Sequence, residues 1–150
     1  MIATHRRAVP ADAPQLLDLR RRSITILASQ GMPIAEVESW ATNLSLAGME
    51  QKIHALEIWI AEIDGRAAGW GAIRGDRLEG LYTDPDFAHR GIGTELLGKL
   101  EALTRAHGIC RTDAEASANA EGFYLRRGYA SAGEPRGEAR PITKRLAGWP

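Results

Sequence analysis

L-E-G-L-Y-T-D-P-D-F-A-H-R-G-I-G-T-E-L-L-G-K-L-E-A-L-T-R-A-H-G, residues Leu78 to Gly108, is the stretch that decides the reading of this chain. An apolar run closes at Thr83, and a turn carrying Pro85 follows. The glycine pair Gly91 and Gly93 then leads into an unbroken amphipathic helix. Leu96, Leu97, Leu100 and Leu103 recur at helical spacing, and His107-Gly108 is a C-terminal stop. The glycines let the backbone turn sharply, so several N–H groups converge where the helix begins. Those first amides have no intrahelical acceptor and sit at the positive end of the helix dipole, which makes the position an anion site. A phosphate or pyrophosphate is the expected ligand.

Spacing separates the phosphate-binding loops from one another. A P-loop requires Gly-Lys-Ser/Thr at the helix entry, and Gly93 is followed here by Thr94-Glu95. A dinucleotide fingerprint requires a third glycine at the position held by Leu96. Asp113 stands where an acidic ribose ligand would, but the glycine pattern is broken and the loop is central in the chain, so a Rossmann domain is not the reading.

Composition narrows the partners. The chain has 150 residues, 44% of them hydrophobic, which suits one domain with a sizeable core. Nineteen basic residues balance nineteen acidic ones, so neither nucleic acid nor an anionic membrane surface is an expected partner. That balance also argues against strongly polycationic substrates. No apolar run approaches a membrane span, and the N-terminal M-I-A-T-H-R-R lacks a signal-peptide core, so the expected location is cytoplasmic. His5, His54, His89 and His107 are scattered, and no metal site is expected. Cys110, the single cysteine, is expected as a buried, inert thiol in a strand.

Outward from the central stretch, Ile2 to Val9 reads as a strand, and Pro10-Ala11-Asp12 starts a helix with Asp12 as N-cap. Leu16, Leu17, Leu19 and Ile24 form that helix's apolar side, with Arg20-Arg21-Arg22 on the solvated face. Gly31-Met32-Pro33 ends it. A second helix runs through Trp40, and Ala47 to Ile53 adds a turn or two. Leu56 to Ile63 is a strand by its β-branched and aromatic content, Asp64-Gly65 a hairpin turn, and Arg66 to Arg74 the returning strand. Gly75-Asp76 turns into a third strand, Arg77 to Thr83. Past Gly108, Ile109 to Ala114 is a strand, Asn119 to Arg127 a helix ended by Gly128, and two strands follow, the last over Glu138 to Leu146. The class is α+β.

Ala88-His89-Arg90-Gly91-Ile92-Gly93 resembles motif A of the GCN5-related N-acetyltransferases (Gln/Arg-x-x-Gly-x-Gly/Ala), with Ala88 departing at the Gln/Arg position. Ala116-Ser117-Ala118-Asn119-Ala120-Glu121-Gly122-Phe123-Tyr124-Leu125-Arg126-Arg127-Gly128-Tyr129 resembles motif B, and the two stand in the order the family demands. The resemblance covers about Leu56 to Leu146 and is greatest to a bacterial branch of undefined substrate. It implies a single GNAT-type acyl-CoA N-acyltransferase domain, with a mixed central sheet of about seven strands flanked by about four helices.

The resemblance further implies acetyl-CoA as cosubstrate and a small-molecule or protein amine as acceptor, attacked directly in a ternary complex; a homodimer is left open. Leu81, Tyr82 and Thr83, where the strand splays, would pair with the pantetheine arm, and one N–H there would hold the oxyanion. His89, Arg90, Gly91, Ile92, Gly93 and Thr94 would hold the pyrophosphate, and Asn119 the pantetheine arm. Tyr124 would be the general acid for the CoA thiolate. An amine with a pKa near ~10.4 needs a base, for which Glu79 is first choice and Asp76 second, and Tyr82 would line the acceptor side. The rival to an enzyme is an acyl-CoA-binding sensor on the same fold.

Overall fold

The computed structural model describes residues 2–27 and 32–146. Asp64 and Gly65 both take left-handed backbone, at φ 51° and 77°. That pair of conformations is what a two-residue hairpin turn requires. Strand β2 (Glu57–Ile63) therefore folds straight back as β3 (Arg66–Arg74), and Gly75, at φ 58°, turns it again into β4 (Arg77–Thr83). Strand β1 (Thr4–Arg7) adds antiparallel to β2, completing a four-stranded meander.

Helices α1 (Ala13–Arg22), α2 (Ile34–Thr42) and α3 (Leu46–Ala55) lie between β1 and β2, and α4 (Ile92–Ala106) follows β4. Then come β5 (Arg111–Ser117), the short α5 (Glu121–Leu125), β6 (Ala130–Ser131) and β7 (Ala139–Arg145). The sheet has seven strands in the order β1-β2-β3-β4-β5-β7-β6, with β4–β5 its parallel pair. This is the expected mixed α+β architecture. Five α-helices among the described residues, rather than about four, flank the sheet. The fifth is α3, which forms outright because the Ser45 hydroxyl accepts from the Gly48 amide at 3.0 Å and caps its start.

One expectation about α1 is corrected and another holds only in part. Asp12 is its N-cap by position, but its side chain makes no cap bond to that helix; it closes a preceding 3-10 turn, Pro10–Asp12, accepting from the Val9 amide at 2.7 Å and from Arg6 at 2.7 and 2.9 Å. The neighbouring guanidinium holds the Asp12 carboxyl below the usual carboxylate range. Nor do the three arginines form a solvated face. Arg20 is buried, donating to the Trp40 carbonyl and to Asn43, and Arg22 pairs with buried Asp84 at 2.6 Å. A wide helix stripe reaches neighbours on both flanks, and here those flanks are α2 and the end of β4. Of the expected break at Gly31-Met32-Pro33, Gly31 lies outside the described residues, while Pro33 precedes α2 as its N-cap.

The core has two layers. Leu16, Leu17, Met49, Ile60 and Trp70 pack between the sheet and α1 and α3; Ile73, Leu78, Leu96, Leu97 and Leu100 pack between the sheet and α4. Helix α4 comes unusually near β3 at Gly69, where an added Cβ would lie 2.9 Å from the Tyr82 carbonyl oxygen and 3.0 Å from Ile92. The carbonyl belongs to a paired strand and cannot swing aside. Gly69→Ala is therefore expected to destabilise the fold by about 1–3 kcal/mol through overpacking. A denaturant midpoint equal to wild type would contradict that close approach.

Candidate active site

Strands β4 and β5 pair only at Arg77↔Asp113 and Leu78↔Ala114, after which the sheet opens. Each edge keeps its other partner, β3 for β4 and β7 for β5, so the opening is a rift between two intact half-sheets. A cavity of about 320 Å³ fills it. Glu79 to Thr83 form one wall and Ala114 to Ser117 the other, with Asn119 from the turn before α5 and Phe123 and Tyr124 from α5 closing it and Gly93 at one end. Ser23, Ile24 and Leu27 also reach the rift, from a single π-type turn, Ser23–Leu27, that continues α1. Nothing in their spacing marked them; a buried apolar face reads the same whether it meets core or cleft.

The glycine loop stands at the Gly93 end. His89 and Gly91 adopt left-handed backbone, φ 62° and 80°, and Gly91 is the N-cap of α4. Gly93 itself is helical, so the second turning residue is His89 rather than Gly93. Its small size serves another purpose. Its Cβ position lies 3.4 Å from the Phe123 ring and 3.5 Å from Thr83 Oγ1, so any larger side chain would enter the rift. The first backbone bond of α4 is Glu95 N–H to the Gly91 carbonyl, and no described residue accepts from the amides of residues 89–94. Six N–H groups are thus left for a ligand or water. Asp84 fixes the loop's start, accepting from the Asp86 amide at 2.8 Å while pairing with Arg22 and Arg66.

Tyr124 projects onto the rift from α5, packed edge-on between Phe123 and Tyr129 at ring-centroid distances of 5.2 and 5.3 Å. Among the described residues nothing hydrogen-bonds its hydroxyl. Burial, reinforced by Tyr82, raises its pKa well above the ordinary phenol value. It therefore keeps its proton throughout the neutral range.

Of the other expected residues, Leu81, Tyr82, Thr83 and Asn119 line the rift. Asn119 Oδ1 accepts from the Ser117 hydroxyl at 2.7 Å, leaving its amide hydrogens available. Tyr82 packs against Trp70 with its ring tilted by 45° at a centroid distance of 4.8 Å, and carries Arg20 5.7 Å above its ring. The side chain of Ile92 is buried in the core, so only its amide is available to the loop.

Glu79 also lines the rift, but not by simple alternation. Ala72 pairs with Gly80 and Ile73 with Leu78, so Glu79 is the extra residue of a β-bulge, and its carboxylate lies 3.5 Å from Arg74 and 3.8 Å from Arg77. Asp76 sits exposed in the β3–β4 turn, outside the rift lining. Cys110 is exposed and precedes β5, contrary to the expected buried thiol. No group of three or more His, Cys, Asp or Glu side chains among the described residues could hold a metal ion, and no described helix is long and apolar enough to cross a membrane.

This arrangement, a parted sheet with a glycine loop and a buried tyrosine at the opening, is that of an acyltransferase fold. A sequence model of the acetyltransferase (GNAT) domain matches residues 28–143, and the chain belongs to the GCN5-related N-acetyltransferase family. It is 26% identical over 131 residues to the uncharacterized N-acetyltransferase YafP of Escherichia coli, covering 87% of this chain and 83% of that one. Its fold is similar to a GCN5-related N-acetyltransferase from Rhodopseudomonas palustris, with a TM-score of 0.91, 28% identity and 97% of each chain covered. A PaiA N-acetyltransferase from Thermoplasma acidophilum, in complex with coenzyme A, superposes with a TM-score of 0.84 at 21% identity over 97% of this chain and all of that one.

Proposed function

We propose that this acetyltransferase moves the acetyl group of acetyl-CoA directly to a primary amine in a ternary complex. The parting of β4 from β5 beside six unsatisfied loop amides carries the reading: a slot with strand edges along it and an anion site at its end suits a pantetheine arm tipped by pyrophosphate. The Leu81–Thr83 backbone would pair with the arm and polarise the thioester carbonyl, and Asn119 would bind the arm from the other side. The amine nitrogen attacks the carbonyl carbon, the C–S bond breaks, and Tyr124 delivers its proton to the departing thiolate.

The acceptor would enter through a second hollow of about 620 Å³ that shares Trp40, Glu115, Ala116 and Ser117 with the rift. Glu36, Glu115 and Glu138 line it with no Lys or Arg among the described lining residues, although Arg136 stands 3.9 Å from Glu115. That local charge favours a cationic amine, which the even balance of the whole chain does not reveal. An amine panel followed by free-thiol release tests the function. Release with at least one amine is expected; coenzyme A binding with no release across the panel would favour the sensor.

Glu79 is the proposed base, acting through water. Glu79→Gln is expected to lower turnover at neutral pH by roughly 10²-fold or more, the lower end of general-base effects, and to flatten the acidic limb of the pH–rate profile. Acetyl-CoA affinity should hardly move, since the amide has the same size. Profiles superimposable in both limbs would remove Glu79 from the chemistry.

A further inference from the structure

Ala88 removes the side chain that the Gln/Arg position of the loop would aim at a phosphate, yet the fold brings another cation to the same helix start. Arg127, just past α5, lies over the Phe123 ring with its guanidinium carbon 3.8 Å from the centroid. Its Nε and Nη2 donate to Thr94 Oγ1, in the first turn of α4, at 3.0 and 2.7 Å, and Nη1 donates to the Phe123 carbonyl at 2.8 Å. Stacking and three hydrogen bonds hold the group in one orientation. Of its five N–H donors, two have no partner among the described residues, and the ion pairs of the described residues do not include it. Thr94 Oγ1, accepting twice from Arg127, keeps its own O–H to donate.

We infer that Arg127, steered by Phe123 and Thr94, binds a phosphate of the cosubstrate in place of the side chain missing at Ala88. The inference rests on the reading that the loop holds the cosubstrate's phosphates. A planar guanidinium with free donors beside a helix N-terminus suits a phosphate better than a lysine would, since two of its N–H groups meet two oxygens together. Phe123 then does two things at once: one part of its ring bounds the rift at Gly93, and its face supports the arginine.

Calorimetry with coenzyme A, 3′-dephospho-CoA and pantetheine tests the assignment on wild type, Arg127→Met and Arg127→Lys. Arg127→Met should weaken coenzyme A about tenfold to a hundredfold, the size of one or two charge-assisted hydrogen bonds, and leave pantetheine unchanged; Arg127→Lys should fall between. A loss that persists with 3′-dephospho-CoA assigns the pyrophosphate, and one that vanishes there assigns the 3′-phosphate. Unchanged coenzyme A affinity in both variants, at melting temperatures matching wild type, would overturn the inference. So would equal weakening of pantetheine, which would make Arg127 a prop for Phe123 alone. Wild type failing to bind coenzyme A would instead remove the proposed function.

Discussion

Gly93→Val is expected to abolish coenzyme A binding while leaving the protein folded. The substituted Cβ meets Phe123 at 3.4 Å and Thr83 at 3.5 Å, ordinary contacts that the fold tolerates. The two further methyl carbons have only the ring, the threonine and the rift to occupy, and all of these border the proposed pantetheine path. The backbone at Gly93 is already helical, so a β-branched residue there strains nothing comparable to a left-handed position. The expected loss is at least ~100-fold in affinity, or about 2.8 kcal/mol, with the melting temperature close to wild type. Calorimetry giving an unchanged dissociation constant would show that the ligand does not pass Gly93.

Tyr124→Phe should cut turnover by at least ~10²-fold, within the usual range for general acids, while acetyl-CoA affinity stays within about a factor of two. The ring keeps its edge-on packing against Phe123 and Tyr129, so the fold has no reason to respond. Like any phenol it is protonated at neutral pH, and burial raises its pKa further, so in the proposed role its placement beside the departing thiolate, not its acidity, is what would make it the donor. Single-turnover kinetics decide the matter: an unchanged rate for the acyl-transfer step would leave Tyr124 as a core aromatic.

What could be read from the chain alone follows from how local each signal is. The Asp64-Gly65 hairpin, the Leu96–Leu100 stripe and the sharp turn at Gly91 are settled within a few residues, and the structure has them where expected. The order of elements follows from those. Arg20 shows the other case: its burial depends on Trp40 and Asn43, twenty and more positions away, and a basic triplet carries no mark of that. Cys110 differs for a smaller reason: β5 starts at Arg111, two residues later than the expected Ile109, which leaves the cysteine outside the strand. The bulge at Glu79 is a register mismatch between two strands, so neither strand's own pattern contains it. Ser23, Ile24 and Leu27 face the rift only because α1 ends in a wider turn.

The seam between β4 and β5 has a mechanical consequence. Two residue pairs join β1–β2–β3–β4 to β5–β7–β6, and further polar ties run through α4: Glu101 accepts from Tyr129 at 2.8 Å and from Lys144 at 3.0 Å, and Thr94 accepts from Arg127. The strand seam itself therefore contributes few rungs, and the C-terminal strands depend for their attachment on α4, through Glu101, Thr94 and the apolar core that Leu96 and Leu100 share with Ala114 and Ile142. Any molecule that spans the rift and bonds both edges would act as a splint, adding rungs where the sheet has none and raising the stability of the bound form.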